Sequence, residues 1–303
     1  MRLFLIPLLA AAAAIAPAAE LIVSNYWSNT VARYSLTDAS FLGNFSGGTL
    51  NGPLATHVGP DGTLYVASEG TNSILRYSLS THTYLGTATS GGGLNGPNGF
   101  AFDAGGNMLV GNFNDSSVAK YSSGGAYLGK LVNNGGGGLN GADIGTTIRN
   151  GVLYVPSFYT NAILKYDATT GASLGSFIAP GAGGLTHPRG LVFRGNAAYV
   201  TSENGNSVLK YGLDGSFLGT FVSSGSGGLN GAAGMVFGND GYLYLSSWRN
   251  NRILRYSDTT GAYVGAFVTS GLNGPTTLTI VPEPAPLLAL GAGIAILAKR
   301  RRR

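Results

Sequence analysis

The sequence predicts an all-β protein: a six-bladed β-propeller with four-stranded blades, closed by a C-terminal strand that completes the first blade and followed by a short C-terminal hydrophobic helix. Three observations carry this prediction. An apolar triplet recurs as Leu21-Ile22-Val23, Leu64-Tyr65-Val66, Met108-Leu109-Val110, Leu153-Tyr154-Val155, Ala198-Tyr199-Val200 and Leu243-Tyr244-Leu245, at spacings of 43, 44, 45, 45 and 45 residues. A Lys/Arg-Tyr pair follows each triplet, from Arg33-Tyr34 to Arg255-Tyr256. Each repeat then reaches a Gly-rich stretch and a Leu-Asn-Gly type turn, such as Leu94-Asn95-Gly96, with Leu185-Thr186-His187 as the variant. Short β-rich runs punctuated by Gly, Asn and Asp at a period near 45 indicate propeller blades. No repeat holds a ten-residue stretch of helical periodicity, which disfavours a helical solenoid.

The elements follow in chain order. Residues 1–19 carry Arg2, an apolar run from Leu3 to Ile15, and small residues Ala16-Pro17-Ala18, the pattern of a signal peptide handled by the Sec export machinery. Residues 20–281 hold the repeats. With the strands of a blade lettered A to D from the axis outward, the segment opens on strand B at Leu21 and ends on an unpaired strand A at Thr276–Val281. Each completes the other, and closure removes two exposed sheet edges. Residues 282–303 read Pro282-Glu283-Pro284, an apolar run Ala285–Ala298, and Lys299-Arg300-Arg301-Arg302-Arg303. A helix over that run would span about 21 Å against a hydrocarbon core of about 30 Å, so it reads as a short, temporary inner-membrane anchor with its basic end cytoplasmic.

The absence of Cys excludes disulfides, thiolate metal sites and a Cys nucleophile. No HExxH, P-loop or EF-hand pattern is present. Site candidates therefore come from polar residues that the repeat does not explain. Asp61, Asp103 and Asp240 fall in A–B turns, and Asp38, Asp167, Asp214 and Asp258 in C–D turns, where hairpins select Asp. Glu20 and Glu283 belong to the ends. Glu69, Asp115, Asp143 and Glu203 remain, all on the face formed by the B–C and D–A connections. Glu69 and Glu203 share a repeat slot in blades two and five, opposite each other in a six-fold ring. That slot otherwise holds Tyr26, Phe113, Phe158 and Trp248, with Trp27, Tyr159, Arg189 and Arg249 beside it.

An aromatic and carboxylate ring suits stacking on sugar rings with carboxylates on their hydroxyls. The competing reading is that the aromatics pack between blades and the Glu side chains are solvated. A weaker possibility is a Ca²⁺ ion held by Glu69, Asn98, Asp143 and Glu203, since calcium takes oxygen ligands. Three residues further along the repeat stand Asn29, Asn72, Ser116, Asn161, Asn206 and Asn251. Such regular recurrence predicts a turn role, with Asn bonding its own backbone.

The Pro-Glu-Pro motif, apolar run and terminal arginines of residues 282–303 resemble the PEP-CTERM sorting signal of bacterial exported proteins. The resemblance implies processing by an exosortase near Pro282-Glu283-Pro284, delivery to the cell surface or matrix, and association with exopolysaccharide and biofilm. Pro97–Phe102 followed by Asp103–Val110 resembles NHL-type and gluconolactonase-like propellers, which supports the fold and little of any activity. The functional expectation is an exported binding module for polysaccharide or a surface protein. The alternatives are a metal-dependent lactonase- or lyase-like hydrolase, or a spacer without a ligand. The formal charge of +5 first suggests nucleic acid. It is concentrated at the ends, however: without Arg2, Glu283 and Lys299–Arg303, twelve basic residues face twelve acidic ones, and no nucleic-acid partner is expected.

Overall fold

The computed structural model describes residues 19–282. The residues before Ala19, expected to be a signal peptide, and Glu283, Pro284, the apolar run with its expected helix, and Lys299–Arg303 lie outside the described residues. Among the described residues no helix is long and apolar enough to cross a membrane.

Six antiparallel four-stranded sheets follow the predicted A-to-D order. Blade one is Pro275–Val281, Glu20–Asn25, Thr30–Ser35 and Phe41–Asn44. Blade two is Pro53–Val58, Leu64–Ser68, Ser73–Tyr77 and Tyr84–Ser90; blade three is Pro97–Phe102, Met108–Asn112, Ser117–Tyr121 and Tyr127–Val132. Blade four is Thr147–Arg149, Val152–Ser157, Ala162–Asp167 and Ser173–Ile178; blade five is Pro188–Arg194, Ala197–Ser202, Ser207–Gly212 and Phe217–Val222. Blade six is Ala232–Phe237, Tyr242–Ser247, Arg252–Ser257 and Tyr263–Val268. Neighbouring blades pack in sequence, and blade six packs on blade one. The closing strand pairs Val281 with Glu20 and Leu278 with Val23. Both ends of the described chain therefore leave blade one on the A–B and C–D turn face.

The core consists of six wedges, each shared by two blades. Leu109, Val118 and Val132 of blade three, for example, meet Val155, Leu164 and Tyr166 of blade four. Alternation along strand C sends Tyr into a wedge and the preceding basic group outward. Each of these six Tyr hydroxyls donates to a carbonyl in the loop arriving from the previous blade: Tyr34 to Gly271 (3.3 Å), Tyr77 to Gly47 (3.1 Å), Tyr121 to Gly91, Tyr166 to Gly136 and Tyr211 to Ala182 (2.8 Å each), and Tyr256 to Ser226 (2.7 Å). A tyrosine can be buried this way because its one polar atom finds an acceptor.

The recurrent Asn slot has a different partner from the one expected. Its residues are left-handed, with φ between 47° and 57°. Their side-chain oxygens accept from the loop entering the next blade rather than from their own turn. Asn29 accepts from the Gly52 N–H and Asn72 from Gly96 at 2.8 Å, Ser116 from Gly141 at 3.0 Å, and Asn161 from His187 at 2.8 Å. Asn206 accepts from Gly231 at 2.6 Å and Asn251 from Gly274 at 2.7 Å. Asn both tolerates left-handed backbone and carries an acceptor, which is why it dominates the slot. The turn acids behave as expected: Asp214, for instance, accepts from the Ser216 hydroxyl and N–H, which holds its carboxyl below the usual range.

Candidate functional site

The B–C and D–A connections surround an axial mouth, a cavity of about 250 Å³ lined by Tyr26, Trp27, Glu69, Phe113, Asp143, Phe158, Tyr159, Arg189, Glu203 and Trp248, together with Leu54 and Asn98. Ten of the twelve residues proposed from the sequence thus converge. Arg249 stands at the rim. Asp115 belongs elsewhere: its carboxylate bonds the Ser117 hydroxyl and Lys130 Nζ, both at 2.7 Å, and it does not line the cavity. The repeat slot fixed its face of the ring but not the direction of its side chain within the turn.

Blade order gives the mouth its shape. Tyr26 and Trp27 of blade one join Trp248 of blade six: the indoles stack at 5.9 Å and 25°, and the Tyr26 ring meets Trp27 edge-on at 4.7 Å. Phe113 of blade three and Phe158 and Tyr159 of blade four form a second group, with centroids 5.0–5.6 Å apart. In a six-fold ring blade one faces four and blade six faces three, so the two aromatic walls oppose each other. Glu69 and Glu203, in blades two and five, stand opposite across the other direction.

Beneath lies a buried charge network. Arg189, 7% exposed, reaches Asp143 through Nε at 3.4 Å and Glu203 through Nη1 at 3.3 Å. Arg249 adds Nη2 to Glu203 at 2.7 Å and to Asn204 at 2.6 Å. Burial opposes the Arg189 charge, but Asp143 and Glu203 outweigh it and hold the guanidinium above its ordinary range. Burial pushes the fully enclosed Asp143 carboxyl upward, against the pull of Arg189. The guanidinium also lies 5.3 Å from the Trp248 ring centroid, within cation–π reach. Across the mouth, the Tyr26 hydroxyl donates to Glu69 at 2.5 Å; burial and this carboxylate raise the phenol to about 12.

This donor set does not suit Ca²⁺. The guanidinium already bridges Asp143 and Glu203, which would otherwise supply the anionic oxygens. Among the described residues no group of three or more His, Asp or Glu is arranged to hold a metal. His187, passed over in the sequence, stands beside Phe158 with centroids 4.4 Å apart, and its Nδ1 meets Asn204 Nδ2 at 2.5 Å. It occupies, at φ 50°, the place that Gly holds in the other five connections. The break of Leu-Asn-Gly into Leu185-Thr186-His187 was the signal that could have found it.

No family model and no curated protein matches the chain. Solved structures do. A chain from a nidogen/laminin complex superposes with a TM-score of 0.70 at 15% identity, over 86% of this chain and 98% of that one. A protein of unknown function from Bacteroides caccae superposes at 0.66 and 15%, over 88% of this chain and 100% of that one. These likenesses establish the six-bladed propeller fold and nothing finer.

Proposed function

We propose that the chain is an exported, surface- or matrix-located binding module whose axial mouth holds polysaccharide. The observation that carries this reading is the cavity between two opposed aromatic walls with carboxylates at its ends. Sugar rings offer apolar faces for stacking and hydroxyls for carboxylates, and this lining supplies both partners. A fold whose mouth gathers one residue set from six blades suits binding without dedicating any group to covalent chemistry. Residues 1–19 would direct export through the Sec machinery. Residues 282–303, with their PEP-CTERM-like pattern, would hold the chain transiently in the inner membrane for exosortase processing.

Two experiments test these parts separately. Glycan-array and matrix-pulldown binding by the protein should depend on the walls, so that Trp27→Ala with Trp248→Ala reduces retention at least about tenfold. No retention by any glycan or matrix fraction would overturn the binding reading. Deleting Pro282–Arg303 should abolish surface delivery; unchanged localisation would overturn the sorting reading.

A further inference from the structure

The charges at the mouth do not balance, and the imbalance has one address. Of the four acids on this face, Asp115 is paired with Lys130, Asp143 with Arg189, and Glu203 with both Arg189 and Arg249. Glu69 has no cationic partner within ion-pair distance among the described residues; its contact is the neutral Tyr26 hydroxyl. Both arginines of the mouth are thus committed to acids, while one carboxylate is left facing a cavity walled by six aromatic rings. A free carboxylate beside aromatic faces is an environment that attracts a cation, since ring quadrupoles and the anion act together.

We propose that the ligand unit held in this mouth carries a protonated amine, as an amino sugar with a free amino group does, with Glu69 receiving the ammonium between the aromatic walls. This rests on reading the mouth as the glycan site. It disfavours a uronic acid there, because Arg189 and Arg249 already face Asp143 and Glu203 and a second carboxylate would add to the negative charge of Glu69. At about 250 Å³ the cavity is below the roughly 300–1,000 Å³ of pockets that enclose drug-sized ligands, so it takes a single sugar unit of a chain.

The test is calorimetric titration of the full chain with tetramers of β-1,4-linked glucosamine, N-acetylglucosamine, glucose and galacturonic acid, in excess chelator and at a pH where the amine is charged. The glucosamine tetramer should bind at least about tenfold tighter than the other three, with a preference that fades as salt rises. Glu69→Gln should abolish the preference, whereas Asp115→Asn, outside the cavity, should retain it. Equal affinity for glucosamine, N-acetylglucosamine and glucose would overturn the amine assignment while leaving glycan binding standing. Tighter binding of galacturonate would likewise overturn it. Binding of none of the four would overturn the amine assignment, while the glycan reading falls only if no glycan or matrix fraction retains the protein. The wild-type preference and its salt dependence decide the matter even if Glu69→Gln melts early.

Discussion

The three blade junctions between blades three and six are built alike, and the closing junction between blades six and one is built differently. From the end of strand D to the Leu of the turn, the chain takes seven residues at Val222–Leu229 but four at Val268–Leu272. The segments Gly136–Gly138, Ala182–Gly184 and Ser226–Gly228, which form short 3₁₀ turns and lie on the next blade's outer strand, have no counterpart there. A cavity of about 470 Å³ opens instead beside Tyr34, Phe41 and Phe267. Two of the recurring bonds are longest at this place: Tyr34 to the Gly271 carbonyl, and the Asn273 N–H to Asn25, both 3.3 Å. Ladder pairing of Pro275–Val281 compensates, helped by the Thr279 hydroxyl donating to the Thr56 carbonyl at 3.0 Å in blade two. The closing junction keeps both latches, Tyr34 to Gly271 and Asn251 to Gly274, and adds to them the pairing of the chain's last strand with its first.

The difference can be broken outright. Ending the chain before Pro275 should abolish the cooperative thermal transition seen by circular dichroism, because the inner edge of Glu20–Asn25 and the wedge around Leu278 are exposed together. A two-state melt in that truncation would show that the latches alone close the ring.

Acid should act away from that seam. His57 lies on the wall of the axial channel, a cavity of about 280 Å³ without a charged residue in its lining, and its ring packs edge-on against Phe100 of blade three at 5.0 Å. Burial pushes its imidazole down to about 4. The unfolded chain takes up this proton near pH 6.5, so the neutral ring's contribution is complete above that and is lost as pH falls toward 4. Urea midpoints should reveal a loss of about 2 kcal/mol over this window, and His57→Gln should flatten it.

Latch mutations sharpen the comparison. Asn161→Ala should cost about 1–2 kcal/mol by removing an acceptor and straining a left-handed residue, and Asn161→Gly should recover the strain component. Tyr166→Phe should cost about 1 kcal/mol, and Tyr34→Phe at the seam less than half of that, by chemical denaturation. Equal losses would deny that the seam is differently built.

The smallest expected effect is a gain. In the C–D turns of blades four and five, Gly171 and Gly215 have φ of 74° and 87°, and a Cβ would lie within 1.8 Å of the previous blade's Leu131 or Phe177 carbonyl. Blade one has Ala39 in that slot at φ 61°. Ala39→Gly should raise stability by about 0.5–1 kcal/mol, read as a higher melting temperature.

Repetition made the fold legible: the triplets and Tyr pairs sit where strands B and C lie, and the half-blades at the two ends implied their pairing. Subtracting the repeat found most of the mouth as well. What it could not supply was direction. Asp115 sits on the right face but turns toward Lys130, and the Asn slot reads alike whether its acceptor serves its own turn or the next blade. The Arg189–Asp143 and Arg249–Glu203 pairs are each 46 residues apart, close to one repeat, so equivalent positions on adjacent blades could have been matched in advance. The shortened loop before Leu272 was visible in the sequence too; its meaning depended on knowing that the loops before Leu139, Leu185 and Leu229 cover their neighbours.

The pairing of Glu20 with Val281 also sets an orientation. The strand leading into Tyr26 runs toward the mouth and the strand ending at Val281 runs away from it, so both ends of the described residues leave side by side at the underside of the ring. Anything that grips this protein by either end, whether a membrane, an enzyme or an engineered tether, holds it like a bowl on its foot, with the aromatic walls and Glu69 turned outward.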